Sequence, residues 1–228
     1  PSSEKNIDWG KVNKPIDPAK FDAIQARMAA YAADKDLFVL DAYCGAVRGT
    51  PAGDGVSVKL SALHPRFEEA KRARVFDELA PRVAQLVRLA EQCAVGITID
   101  AEESERLELT LDLFEELSRG HALGLAVQAY QKRALAVCDW LVGLRRRISV
   151  RLVKGAYWDG EIKRAQQLGM PDYPVFTRKS ATDLSYAACA RRLLSAPATL
   201  YPAFATHNCR TVATIFELAG DRPFEFQK

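Results

Sequence analysis

After residue 55 the chain alternates between short runs of aliphatic and β-branched residues and longer segments with apolar residues at helical spacing. The short runs predict six strands: Val56–Leu60, Val95–Asp100, Leu123–Tyr130, Ile148–Lys154, Tyr201–Thr206 and Phe224–Gln227. The intervening segments predict helices over 68–93, 102–117, 134–144, 159–169, 182–195 and 210–219. Such alternation is typical of parallel β/α architecture, in either a barrel or an open doubly wound sheet.

Polar or ionisable residues stand at the ends of most of these predicted strands. They are Lys59, Asp100, Gln128, Lys154 and Thr206–Asn208. The strand C-termini of a (β/α)8 barrel form its catalytic face, and buried polar groups are costly unless they are paired or used. We therefore expect an α/β fold of the (β/α)8-type (TIM) barrel. It is predicted to be incomplete, because six strands are predicted where a full barrel has eight.

The first 46 residues differ in character from the rest. They predict a helix over 19–33 and a strand over Leu37–Tyr43, which could replace a missing barrel strand. The stretch Gly45–Gly55 holds four glycines and one proline, which favours a linker. The predicted organisation is an N-terminal helix–strand segment over 1–46, a linker over 47–55 and a barrel over 56–228.

Composition excludes several functional classes. The net charge of +3 in 228 residues is too small to indicate nucleic-acid binding. The five cysteines are scattered and form no CxxC motif, so we predict neither a disulfide framework nor a metal site, and a reducing, cytoplasmic location. No apolar run reaches the roughly 18 residues of a membrane span, and the polar start predicts no signal peptide.

The stretch Ser149–Trp158 is the strongest candidate for a binding site. Arg151 and Lys154 lie three apart on a predicted strand and should face opposite sides, so one of them could be a surface cation. Gly155 permits close approach, and Tyr157 and Trp158 supply ring surface or, alternatively, core packing. Two cations and two rings around a glycine suit a flat, anionic ligand.

Further polar groups extend this candidate site. Thr206-His207-Asn208 directly follows a strand, and Asp100 stands at another strand end. Thr177-Arg178-Lys179 precedes a helix, where a hydroxyl, cations and free N–H groups can hold phosphate or form a surface patch. No GxGxxG or GxxxxGK[ST] motif is present. These residues indicate an enzyme for a planar, phosphate-bearing ligand without naming its reaction.

The chain from residue 56 resembles the proline dehydrogenase domain of bacterial bifunctional proline utilization flavoenzymes. The matching stretches are VSVKLSALHPRFE, ITIDAEESERLE, VQAYQKR, VRLVKGAYWDGEIKRAQ, YPVFTRKSATDLSY, YPAFATHN and FEFQ. The resemblance implies a distorted (β/α)8 barrel with FAD at the strand C-termini. It also implies oxidation of L-proline to Δ1-pyrroline-5-carboxylate, a membrane quinone as electron acceptor, and peripheral association with the inner membrane.

The same resemblance assigns roles to residues. Arg151 would lie beside flavin N5, and Lys59, Asp100 and Tyr157 would lie at or beside the proline pocket. Positions matching FAD contacts are Gln128, Arg151, Val153, Lys154, Gly155, Trp158, Thr177, Thr206, His207, Asn208 and Gln227. The family's barrel continues past FEFQ to a helix with an arginine pair for the substrate carboxylate. The alternative expectation is therefore an inactive fragment or chimera that keeps part of the flavin-binding barrel.

Residues 1–46 resemble a different family. The stretch NIDWGKVNKPIDPAKFDAIQARMAAYAADKDLFVLDAYCGA is similar to part of the N-terminal domain of ATP-dependent phosphoenolpyruvate carboxykinase. The phosphate loop and metal ligands of that kinase lie outside this stretch, so the resemblance carries no carboxykinase site. A change of family near Ala46 indicates a fusion, an engineered chimera or an assembly error in the sequence.

Overall fold

The computed structural model describes residues 20, 22–26, 28 and 35–227. These residues form one six-stranded sheet in the order β1 to β6, and every neighbouring pair is parallel. The strands are β1 (Gly55–Val58), β2 (Gly96–Ile99), β3 (Leu123–Gln128), β4 (Ile148–Val153), β5 (Leu200–Ala205) and β6 (Glu225–Gln227). The predicted parallel β/α architecture is thus confirmed, as a half-barrel.

Helix α1 (Lys35–Gly49) precedes β1, and further helices connect successive strands. The connecting helices are α2 (Leu60–Leu63), α3 (Arg72–Gln92), α4 (Leu107–Leu117), α5 (Ala134–Gly143), α6 (Trp158–Gln167), α7 (Lys179–Leu194) and α8 (Cys209–Ala219). Single 3-10 turns, Glu69–Lys71 and Ser104–Arg106, lead into α3 and α4. Parallel strands require such crossovers, and the helices cover the outer face of the sheet.

The two faces of the sheet differ in polarity, as β4 illustrates. Ile148, Val150 and Leu152 are buried in the core beneath the helices, whereas Ser149, Arg151 and Val153 remain partly exposed on the other face. This alternation follows from the two-residue period of a strand. The concave face of the half-barrel therefore carries the polar side chains.

One arginine shows that the sheet is curled. Arg151 on β4 donates hydrogen bonds to Ser57 on β1 and to Gln227 on β6. In a flat sheet β1 and β4 would lie roughly 14 Å apart, at about 4.8 Å per strand, which exceeds the reach of one arginine side chain. The concave face is therefore closed enough for side chains from distant strands to meet over it.

The N-terminal part of the fold differs from prediction. The predicted strand Leu37–Tyr43 is wrong, because these residues belong to helix α1. Leu40, Cys44 and Val47 are buried at helical spacing and join the same core as the sheet, so the run is one face of a helix. The idea that this run replaces a missing barrel strand is wrong for the same reason.

The predicted linker is also shorter than expected. Gly45 and Gly49 lie within α1, and irregular structure is confined to residues 50–54 before β1. Of the helix predicted over 19–33, the described residues 20, 22–26 and 28 are helical, and the others lie outside the described residues. The strand predicted over Val56–Leu60 ends at Val58, because Leu60 begins the short helix α2.

Candidate active site

Arg151 is the centre of a polar cluster on the concave face. Its Nη1 donates to Ser57 Oγ at 2.7 Å and to Asp100 Oδ1 at 3.0 Å, and its Nε donates to Gln227 Oε1. These partners come from three other strands or their C-terminal ends. The structure thus brings together three predicted residues, Arg151, Asp100 and Gln227, and adds Ser57.

The Arg151–Asp100 ion pair is only partly screened by solvent. The two side chains are 22% and 26% exposed. Burial raises the pKa of the Asp100 carboxyl, while the cations of Arg151 and Lys59 act in the opposite direction. Arg151, together with Ser57 and Gln227, lines a cleft of about 950 Å³ on the concave face. Arg151 therefore presents a fixed positive charge at the wall of a large cleft.

Lys59 and Tyr157 meet at the ends of β1 and β4. The nearby Tyr157 hydroxyl is the main reason that the pKa of Lys59 is raised. The backbone N–H of Lys59 donates to the Tyr43 hydroxyl at 3.2 Å, which links helix α1 to the site. Lys59 is solvent-exposed and protonated at neutral pH, so it can pair with a carboxylate.

The loop from Lys154 to Trp158 lies directly on Tyr130. Gly155 has a φ of +146°, and a Cβ at this position would lie 2.4 Å from the Tyr130 ring. The N–H of Tyr157 donates to the Tyr130 hydroxyl at 3.3 Å, and Tyr130 itself is buried. Only glycine fits this close approach to Tyr130, whereas close approach of a ligand to Gly155 stays a prediction.

A carboxylate joins two lysines beside this loop. Lys154 Nζ donates to Asp183 Oδ1 at 2.5 Å, and Lys179 Nζ donates to Asp183 Oδ2 at 2.7 Å. These two hydrogen bonds, with Lys154 the stronger influence, lower the pKa of Asp183. Two cations share one carboxylate, so a net positive charge remains at the start of α7.

A second cleft, of about 410 Å³, lies at the ends of β4 and β5. Its lining includes Lys179 and six predicted cofactor residues, namely Val153, Lys154, Gly155, Thr206, His207 and Asn208. Asn208 also caps α8, because its Oδ1 accepts the Thr211 N–H at 3.0 Å. The cleft combines positive charge with hydrogen-bonding groups, which suits an anionic ligand.

Trp158 and Thr177 extend the same surface. Trp158 Nε1 donates to the Phe176 carbonyl at 2.9 Å, while the residue remains 42% exposed. Thr177 follows directly and is exposed, and Arg178 is the N-cap residue of the sixteen-residue helix α7. An exposed ring next to a helix N-terminus and lysines fits a ligand with both a flat part and a phosphate.

Gln128 is placed differently from the other predicted cofactor residues. It is buried, its Nε2 donates to the Glu102 carbonyl at 2.9 Å, and its Oε1 accepts the Ala156 N–H at 2.9 Å. Both ends of its amide are therefore engaged by backbone groups. Its side chain connects the loops after β2 and β4 behind the site.

Sequence reasoning missed Ser57, Tyr130 and Asp183. Ser57 lies two residues before Lys59 in the predicted strand Val56–Leu60, and Asp183 lies four residues after Lys179 on a helix, so both spacings contained a signal. Tyr130 carried no such signal, because its role depends on contact with Gly155 across the sheet.

Within the ranges that the structure describes, no group of three or more histidine, cysteine or acidic residues could hold a metal ion. In the same ranges, none of the helices is long and apolar enough to cross a membrane. The candidate site is thus made of Arg151, the Lys59–Tyr157 pair and the lysine-lined cleft.

The fold and site define a barrel-type β/α domain with a cationic site at its strand C-termini. The family model for proline dehydrogenase matches residues 17–228, and the chain belongs to this family. Bifunctional protein PutA of Escherichia coli (strain K12) is 53% identical over 194 residues, which is 79% of this chain and 15% of that protein. PutA of Rhizobium meliloti is 52% identical over 188 residues, 76% of this chain and 15% of that protein.

Solved structures agree with the half-barrel. A crystal structure of a bifunctional proline utilization A (PutA) protein is 50% identical, with a TM-score of 0.78 over 83% of this chain and 21% of that chain. PutA from Bdellovibrio bacteriovorus, inactivated by N-propargylglycine, is 29% identical, with a TM-score of 0.79 over 84% and 24% of the two chains. The chain thus spans less than a quarter of these relatives.

A second group of relatives matches a much shorter stretch. Phosphoenolpyruvate carboxykinase (ATP) of Geotalea uraniireducens (strain Rf4) is 54% identical over 46 residues, which is 20% of this chain and 9% of that enzyme. The proline dehydrogenase model nevertheless begins at residue 17, inside the segment predicted to have a different origin. The boundary at residue 46 therefore stays a prediction.

Proposed function

We propose that this chain is the catalytic domain for FAD-dependent oxidation of L-proline to Δ1-pyrroline-5-carboxylate. The observation that carries the proposal is the position of Arg151, which is held by Ser57, Asp100 and Gln227 on the concave face. A fixed cation at this point can stabilise negative charge that develops beside it during hydride transfer. Membership of the proline dehydrogenase family supports this assignment.

The residues present fit FAD. Lys154 and Lys179 would hold the diphosphate in the smaller cleft, with Thr206, His207 and Asn208 as further contacts. The exposed ring of Trp158 and the start of α7 at Thr177 offer flat and polar surface next to it. When bound, FAD supplies a two-electron acceptor for the C5 hydride of proline.

The substrate would lie between Lys59, Tyr157 and Asp100. The protonated Lys59 ammonium would pair with the proline carboxylate, and Tyr157 would lie beside it. Asp100 would orient Arg151 through their ion pair while facing the substrate nitrogen. Each group comes from a different strand end, so the curvature of the sheet brings the pocket together.

Electron transfer to a membrane quinone and a cytoplasmic location with peripheral contact at the inner membrane are parts of the same proposal. They rest on the likeness to the PutA proteins. Because the chain spans only 15% of the length of its curated PutA relatives, quinone reduction and membrane contact are proposals for this chain.

The direct test is turnover of L-proline by the flavin-loaded chain with a soluble quinone analogue as acceptor. Arg151→Met should reduce kcat by about 100-fold or more, as expected when one charge-stabilising group is removed. Arg192→Met is the matched control, because Arg192 pairs with Asp139 on the outer helices α5 and α7. Equal turnover by both variants would contradict the proposed role of Arg151.

A second candidate function is flavin binding without proline oxidation. It is favoured by the observation that the described residues form six strands, whereas a closed barrel has eight. Titration with FAD separates the two functions. If the chain only binds flavin, FAD will bind the smaller cleft and added proline will yield no product.

A further inference from the structure

Glu102 contacts two of the loops that form the site. Its Oε1 accepts the N–H of Ser61 at 2.9 Å, and Ser61 lies two residues after Lys59. Its backbone carbonyl accepts from Gln128 Nε2 at 2.9 Å. Gln128 Oε1 in turn accepts the N–H of Ala156, which precedes Tyr157. Hydrogen bonds through Glu102 and Gln128 therefore connect residues 59–61 (the Lys59 loop) with residues 154–158 (the Tyr157 loop).

Burial separates Glu102 from an ordinary carboxylate at the start of a helix. Its side chain is 3% exposed, and its second oxygen accepts from Arg106 at 2.5 Å. The next residue, Glu103, is 38% exposed and meets Arg106 at 3.3 Å. A buried carboxylate is costly unless its oxygens are paired, and here one of the pairings is the Ser61 amide in another loop.

The Lys59 loop and the Tyr157 loop carry the two side chains that would bind the substrate together. Lys59 lies two residues before Ser61, whose N–H is held by Glu102, and Tyr157 directly follows Ala156, whose N–H is held by Gln128. Tyr157 lies close enough to Lys59 to raise its pKa, so a shift of either loop would change the distance between the two side chains. In catalysis, misplacing reacting groups by about 1 Å can cost about 100-fold in rate.

We propose that Glu102 is a positioning residue that fixes the Lys59 loop relative to the Tyr157 loop and so sets the substrate-binding geometry. This inference rests on the proposed function for its effect on proline. The effect on the two loops is a property of the chain itself and can be measured without substrate.

The first test follows the loops directly, with Glu102→Ala, Glu102→Gln and the control Glu103→Ala. Amide exchange at Ser61 should be about 10-fold or more faster in Glu102→Ala, because its acceptor is lost. The pKa of Lys59, followed by NMR of labelled lysine, should fall towards its ordinary value, because the Glu102 charge that helps to raise it is lost and Tyr157 moves away. Both should remain near wild type in Glu103→Ala.

Glu102→Gln separates hydrogen bonding from charge. Its amide oxygen can still accept from Ser61, so exchange at Ser61 should stay slow, and the pKa of Lys59 should fall less than in Glu102→Ala, because only the Glu102 charge is lost. This near-isosteric variant also keeps the experiment informative if Glu102→Ala does not fold. Equal behaviour of the Ala and Gln variants, or unchanged Ser61 exchange in Glu102→Ala, would overturn the proposal.

The second test uses the flavin-loaded chain and L-proline. We expect Glu102→Ala to raise KM by about 10-fold, with a smaller change in kcat, and Glu102→Gln to restore most of it. An unchanged KM despite faster Ser61 exchange would overturn the inference. If the wild type forms no product, the proposed function fails, whereas Ser61 exchange and the Lys59 pKa still decide whether Glu102 fixes the loops.

Discussion

Single residues set the geometry of this site, and Gly155 does so most directly. Its positive φ and the Tyr130 ring beneath it leave no room for a side chain. These polar residues were predictable from sequence, since Asp100 and Gln227 lie at the ends of predicted strands and Arg151 lies within one. Their partners were not, because the meeting of Ser57 with Arg151 depends on sheet curvature, which the local pattern does not encode.

Substitution of Gly155 by alanine should lower the free energy of unfolding by about 2–4 kcal/mol, through backbone strain and overpacking against Tyr130. Gly160→Ala is the control, since Gly160 lies in α6 with open space around it. That change should raise stability by about 0.5–1 kcal/mol, because alanine favours a helix. Urea unfolding of both variants measures the contrast, and similar effects would refute the assigned contact.

Asp183 makes stability depend on pH. Its pKa is lowered in the folded chain by Lys154 and Lys179, so its stabilising effect is complete above the ordinary value of 3.8 and is lost as pH falls through the lower, folded value. Asp183→Asn should therefore destabilise at pH 7, by at most about 1 kcal/mol for a side chain this exposed. The difference from wild type should vanish at low pH.

Urea unfolding at neutral and acidic pH provides that measurement. Asp221→Asn is a suitable control, because it makes the same charge change on an exposed turn. A difference between wild type and Asp183→Asn that grew as the pH fell would contradict the assigned ion pairs.

At the scale of elements, the strands were predicted to within about two residues, and helix α1 was not predicted. The strands carry β-branched residues bounded by turn signals, whereas LFVLDAY is an apolar run that fits either structure. Leu40, Cys44 and Val47 are buried against the barrel core, which favours a helix over a strand for this run. Its secondary structure therefore depends on contacts with residues far along the chain, particularly in α3.

Helix α1 should contribute to the stability of the whole half-barrel. Leu40→Ala should lower the free energy of unfolding by about 2–4 kcal/mol, because it removes a buried side chain from the shared core. Arg48→Ala, on the exposed side of the same helix, should change it by less than about 0.5 kcal/mol. A single cooperative transition is expected for both, and a separate early transition in Leu40→Ala would show that α1 is not part of the core.

At the scale of the whole molecule, the curled sheet is what turns scattered strand ends into a site. Arg151 reaches across it to β1 and β6, Glu102 and Gln128 connect the loops behind it, and the lysine-lined cleft lies beside it. Family membership and this arrangement lead to one central claim. This claim is the proposal that the chain binds FAD at its strand C-termini and reduces it with proline.

The most direct measurement of this claim is anaerobic addition of L-proline to the purified, FAD-loaded chain. The account predicts that the flavin absorbance at about 450 nm bleaches, with one proline oxidised for each flavin reduced. Flavin that stays bound and keeps its absorbance in the presence of saturating proline would contradict it.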